Sequence, residues 1–265
     1  MTREVLRYEG RRRLKGSVYL GVGLGLFALL FAPFYPAVKE SGEQLQEYVE
    51  NLPPAIRAAF GLDAFTTIEG FLATEFYAFA WVLLLGVYLA YRAGGAVAGD
   101  VESGRIDMVL SAPVSRAGVV LGTVGSLLVP IAVCNLLVPP AVYATVLLAG
   151  ETIAVPRLLA VHALSVPYFL ACVGIGTVLS VAVGRASVAE RGAIAAVFGL
   201  FLVDTLTTTD PDLEPVGAVS PTRHYDPTAV LVRAEYDLVG AGVLLAGTVA
   251  LVAVAVVVFR RRDLT

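Results

Sequence analysis

A phosphate-cradling loop of the Walker type needs Gly, four residues, Gly, and then Lys followed by Ser or Thr. Backbone amides hold the phosphates and the lysine reaches the outer two. The sequence has two lysines against 17 arginines. Lys15 is followed by Gly16 and Lys39 by Glu40, so ATP hydrolysis of that kind is excluded. Gly21-Val22-Gly23-Leu24-Gly25 faintly resembles a dinucleotide turn, but it lies inside an apolar run with no strand before it. Glycines so spaced serve close helix packing instead. Cys134 and Cys172 both stand in apolar runs, and His162 and His224 are far apart. No disulfide framework or metal-ligand spacing follows from them, and no cofactor is expected.

Ionisable residues inside apolar stretches are few: Glu75, His162 and Asp204. At a bilayer centre a carboxylate costs about 2.5–3.5 kcal/mol on insertion scales, and near the headgroups much less. All three lie near the outer ends of their stretches, which argues against a proton relay through the membrane. Glu75 and Asp204 are the candidates for a substrate path; simple interfacial placement is the alternative. Asn135, Ser165, Thr177 and Ser180 read as hydrogen bonders between helices, and Trp81 and the tyrosines as packing or interfacial anchors.

The most informative segment is Gly99-Asp100-Val101-Glu102-Ser103-Gly104-Arg105-Ile106-Asp107-Met108-Val109-Leu110-Ser111-Ala112-Pro113-Val114-Ser115-Arg116. Ile106, Val109 and Leu110 share one helical face. Asp100, Glu102, Arg105 and Asp107 put charge around it. Pro113 ends the short helix, and Ser115 can cap the next one, with Arg116 at the headgroups. The expected result is a short amphipathic helix at the membrane surface. It is either a plain linker or a docking helix whose aliphatic face meets a soluble partner.

The elements that position these residues follow from composition. Hydrophobic residues make up 57% of the 265 and charged residues 15%. Counted with Gly and without Tyr, the apolar share is about 63%, against ~45–50% in soluble domains. A water-soluble chain cannot hide that excess, so a soluble enzyme, a disordered tail and a nucleic-acid binder are excluded. A bilayer core of about 30 Å takes about 20 helical residues. Six stretches qualify: 17–35, 71–91, 117–138, 158–183, 187–206 and 238–259. The third belongs to an apolar run reaching Ala149, broken by Pro130 and by Pro139-Pro140, with 141–149 read as an outer extension. The fifth begins at a capping box, Ser187 with Glu190. It is short enough to be re-entrant, but the last stretch can return only if it crosses.

The charges orient the chain. With both termini in the cytoplasm, six crossings leave 14 basic residues inside and 5 outside, and about 7 acidic residues inside against 15 outside. The reverse orientation violates the positive-inside bias. A cleaved leader fits poorly, because Pro33 and Pro36 occupy the place of a small-residue cleavage site. The outer loops 38–70 and 207–237 are either solvated caps or a lid over a substrate path. In the first, Leu45, Val49 and Leu52 make an amphipathic stretch. In the second, residues 228–234 are apolar enough to touch the membrane.

The inner segment resembles the loop of type-2 permease subunits of ATP-binding-cassette (ABC) transporters. Their pattern is an acidic stretch, Gly-Thr-Leu-Glu, two or three apolar residues, Ser or Ala, one residue, Pro, Val or Ile, Ser or Thr, and Arg. Glu102, Gly104, Ile106, Asp107, Leu110, Ser111, Pro113, Val114, Ser115 and Arg116 match it, while Arg105 stands where Thr is usual. Similar features extend along the chain: the basic N-terminus, Leu52-Pro53, Phe60-Gly61, Glu69-Gly70-Phe71, and Ser220-Pro221-Thr222-Arg223-His224-Tyr225-Asp226-Pro227. The resemblance implies an all-α integral membrane protein of six transmembrane helices in the plasma membrane. It also implies a short cytoplasmic coupling helix between the second and third, a homo- or heterodimer of permeases, and separate ABC ATPase subunits docked at 100–116. The cargo is unspecified, and the expected direction is export. The rival is an ion-coupled secondary carrier or a membrane-anchored scaffold, which should show mid-membrane charges or paired broken helices.

Overall fold

The computed structural model describes residues 2–41, 48–49, 51–52, 67–111, 114–208 and 214–262. Every regular element among them is a helix. Seven carry the architecture: α1 (Thr2–Leu29), α2 (Ile68–Glu102), α3 (Arg105–Ser111), α4 (Arg116–Leu148), α5 (Val155–Ala182), α6 (Ala186–Thr207) and α7 (Leu238–Arg261). Apolar runs of this length become helices in lipid because each backbone N–H and C=O must then be bonded within its own segment.

By length and composition, α2, α4, α5, α6 and α7 can cross a membrane. The first of the six expected crossings is not among them. Its helix carries Arg11, Arg12, Arg13 and Lys15, leaving residues 16–29 uncharged before turns at 30–34 and a short helix, Tyr35–Glu40. Those residues rise about 21 Å, short of the ~30 Å core. The third expected stretch also differs. α4 does not end at 138 but runs through Pro139 and Pro140 to Leu148. Its irregularity is at Leu127, shortly before Pro130, which has no N–H to continue the ladder. α2 is likewise longer than the expected 71–91.

α2 and α5 form the interior. Residues Ala73–Leu84 of α2 are wound as a π-helix, with i→i+5 bonds. They bury Phe76, Tyr77 and Trp81 against Phe169 and His162 of α5. Tyr77 Oη lies 2.9 Å from His162 Nε2. Further along, small residues let backbones touch. A methyl group at Gly176 of α5 would collide with the Ala90 carbonyl oxygen of α2. α1 lies along α4, where a methyl group at Gly21 or Gly25 would stand 3.0 Å from Leu137 or Ala141, while Gly23 faces open space. The glycine cluster is therefore a packing seam.

Of the four polar residues expected to bond between helices, Ser180 does so. Its Oγ accepts from the amides of Val97 and Ala98 on α2, at 2.9 and 3.0 Å. Asn135, Ser165 and Thr177 donate instead to carbonyls three or four residues back in their own helices. Such local bonds satisfy a short polar side chain without a partner helix.

α6 and α7 are mostly exposed in the single chain, with Phe198, Leu202, Val249 and Val254 on open faces. Between them, residues 214–237 fold over the helix ends opposite α3. Tyr225 donates to the Val161 carbonyl at 2.6 Å, and Arg157 to the Leu231 carbonyl at 3.2 Å. Val230 and Leu231 are buried in the chain's own core, so the apolar part of 228–234 packs inward. Val49 and Leu52 of the other loop are described, while Leu45, Pro53-Pro54 and Phe60-Gly61 lie outside the described residues.

Candidate functional site

The segment 100–116 is built from the end of α2. Ser103 donates to the Gly99 carbonyl at 2.7 Å, and the Gly104 amide to the Val101 carbonyl at 3.1 Å, which stops the helix. Gly104 has φ +68°, a left-handed turn that L side chains adopt at a cost of about 1–2 kcal/mol. The chain then reverses into α3. Arg105 forms an ion pair with Asp100 across this turn, holding α3 against the last turn of α2. Ala112 and Pro113 lie outside the described residues.

α3 is amphipathic, but its aliphatic face points the opposite way from that expected of a partner contact. Ile106 is 2% exposed and packs in one cluster with Val97 of α2, Val119 and Val120 of α4, Val181 of α5 and Phe259 of α7. Val109 and Leu110 are half-buried against the same cluster. The chain's own helix ends already supply the apolar partner that these side chains need. The face turned to solvent carries Asp107, Met108 and Ser111, with Met108 69% exposed.

Around α3, side chains tie neighbouring helices together at their ends. The Glu102 carboxylate accepts from the Ala186 amide at 2.8 Å and so caps the first turn of α6. That cap replaces the Ser187–Glu190 box, since α6 begins at Ala186 with Ser187 already inside it. Ser115 caps α4 as expected, accepting from the Gly118 amide at 3.0 Å. Arg116 donates to the Phe259 and Arg260 carbonyls at the end of α7, at 3.1 and 3.2 Å, with its guanidinium 5.8 Å from the Phe259 ring centre. Arg262 in turn donates to the Val181 and Val183 carbonyls at the end of α5, at 2.7 and 3.1 Å. The neighbourhood of α3 thus joins the ends of α2, α4, α5, α6 and α7.

The two substrate-path candidates are not brought together. Asp204 lines a cavity of about 460 Å³ with Thr74, Thr205, Thr222, Arg223 and Arg233. Glu75, half-buried on the π-helical part of α2, is not on its wall. Arg233 is itself held by Asp226 and Glu235, at 3.1 and 3.0 Å, and the bond to Glu235 above all raises its pKa. Arg262 and the cap role of Glu102 escaped sequence reasoning. The available signals were the arginine run at 260–262 and an acid just before a turn.

No curated protein matches the chain significantly. The family described as ABC-2 family transporter protein matches residues 3–264, nearly the full length. Together with five helices apolar enough to cross a membrane, this identifies a multi-pass membrane permease of the ABC type, and the chain belongs to the ABC-2 transporter family.

Proposed function

We propose that this chain turns ATP-driven closure of a separate ATPase subunit into movement of its own spans, exporting a substrate. The ATPase docks on α3 from the cytoplasm. The observation that carries this reading is the two-sidedness of α3: Ile106 sits in a cluster made by α2, α4, α5 and α7, while Asp107 and Met108 face outward. A push on the outer face reaches four helices at once through a close-packed contact, and close-packed interiors transmit displacement. Asp107, Met108 and Ser111 then make the partner contact. Asp100, Glu102, Gly104, Arg105, Ser115 and Arg116 hold the coupling helix in place. The lack of a Walker lysine supports hydrolysis by the partner.

In this reading the residues after Ser17 complete a sixth crossing, continuing through the turns at 30–34. Both termini are then cytoplasmic, in the plasma membrane, and two permeases pair around a path that Asp204 lines, with Glu75 outside that cavity. The placement of α3 is testable on intact cells. With Cys134 and Cys172 replaced, a cysteine at Pro215 is expected to react with a membrane-impermeant maleimide. A cysteine at Ser103 is expected to react only after permeabilisation. Labelling of Ser103 on intact cells contradicts the orientation and the docking role with it.

A further inference from the structure

Between α1, α2 and α3, with α4 and α6 completing the wall, lies a cavity of about 580 Å³. Four arginines from three elements line it: Arg12 and Arg13 of α1, Arg92 of α2 and Arg105 of α3. Two carboxylates, Asp100 and Glu190, share the wall, which leaves a surplus of two positive charges over four arginines and two acids. Arg105 is paired with Asp100. Arg12 and Arg92 are exposed. Another part of the wall is uncharged, with Val109, Val119 and Tyr91. A smaller space of about 80 Å³ shares Arg12, Arg13 and Arg92 and reaches Tyr88 and Pro130.

Guanidinium groups lining one cavity from separate helices suit a phosphate, whose oxygens accept their paired N–H donors. A basic wall beside an apolar one suits an amphiphile better than a free anion. Basic pockets between helices on the cytoplasmic side take anionic headgroups. The geometry points to a binding site for the phosphate of an anionic phospholipid, held between α1, α2 and α3. Among the described side chains, the cluster around Ile106 contains residues of α2, α4, α5 and α7 and none of α1. α1 reaches that cluster through α4, on which it packs, and a lipid in this cavity gives it a direct link to α3. The cytoplasmic source of the lipid, and its effect on coupling, rest on the function proposed above; the binding itself does not.

The test uses the purified full-length chain in nonionic detergent, without any ATPase. Short-chain phosphatidylglycerol, the matching phosphatidylcholine and inorganic phosphate are titrated calorimetrically. Phosphatidylglycerol is expected to bind saturably and phosphatidylcholine not measurably. Phosphate should bind about ten-fold more weakly than phosphatidylglycerol, because it lacks the apolar contact. Arg12→Gln and Arg92→Gln should each weaken phosphatidylglycerol about five-fold. Arg92→Lys should keep most of the affinity, and Lys39→Gln, on the far side of the chain, should keep all of it. Equal binding of the two lipids, phosphate binding as tightly as phosphatidylglycerol, or both Gln variants binding like the parent overturns the assignment. Since no ATPase is present, failure here leaves the docking role of α3 intact, and failure of docking leaves this site intact.

Discussion

Ile106→Glu is expected to abolish ATP-driven transport while the chain still inserts in the membrane. Full burial of an isoleucine contributes about 1.5–3 kcal/mol. A glutamate in its place loses that and adds the cost of an unpaired carboxylate in an apolar cluster. A total of roughly 3 kcal/mol or more lowers the docking equilibrium constant of α3 at least a hundred-fold. Limited proteolysis near Arg105 should then become rapid, because the helix no longer rests on Val97, Val119 and Phe259. Ile106→Val, which keeps the contact, should transport at close to the parent rate. Normal transport by Ile106→Glu would mean that α3 carries no force to the spans.

Substitution of Gly176 acts on the fold itself. The added methyl of Gly176→Ala meets the Ala90 backbone carbonyl and, at 2.8 Å, the Ala93 side chain. Neither can swing away as the end of a flexible side chain can. α2 and α5 must separate, which loosens the interior around Trp81, Tyr168 and Phe169. Overpacking of this kind costs about 1–3 kcal/mol and occasionally more. The detergent-solubilised Ala variant should lose several degrees in thermal unfolding, and Gly176→Leu should fail to yield monodisperse protein. Gly23→Ala supplies the control: its added methyl meets nothing within 4 Å, and its melting should be unchanged.

Sequence pattern reached the helical class and five of the candidate spans because apolar length is a local property, while the resemblance to the family was carried by the motif from Glu102 to Arg116. The spacing of Gly21 and Gly25 was likewise legible as a helix seam. The direction in which α3 faces was not. Helical periodicity shows that Ile106, Val109 and Leu110 share a side, but either a partner or the chain's own helix ends can cover that side. Which one does depends on the tertiary placement of Val181 and Phe259, distant in sequence. The same distance hid the cap that Glu102 provides to α6, 84 residues away, and the reach of Arg116 to the end of α7. For Ser165 and Thr177, composition could not decide between a neighbour's backbone and their own, and the nearer acceptor won. At the first expected crossing, the basic residues through Lys15 leave a short uncharged stretch in the helix, with turns where the apolar run continues.

The central claim is that an ATPase subunit binds the outer face of α3. A photoreactive amino acid at Met108, where the side chain is 69% exposed, tests it most directly. Irradiation of native membranes should join the chain to a protein whose peptides include a Walker motif. The yield should fall when Asp107 is replaced by Lys, since a reversed charge at a contact disfavours the same partner. A photoreactive residue at Val219, 75% exposed near the outer helix ends, should give no such product. ATPase should therefore be cross-linked from position 108 and not from 219. Efficient cross-linking at Met108 to lipid or to other membrane proteins, with no ATPase among the products, would contradict it.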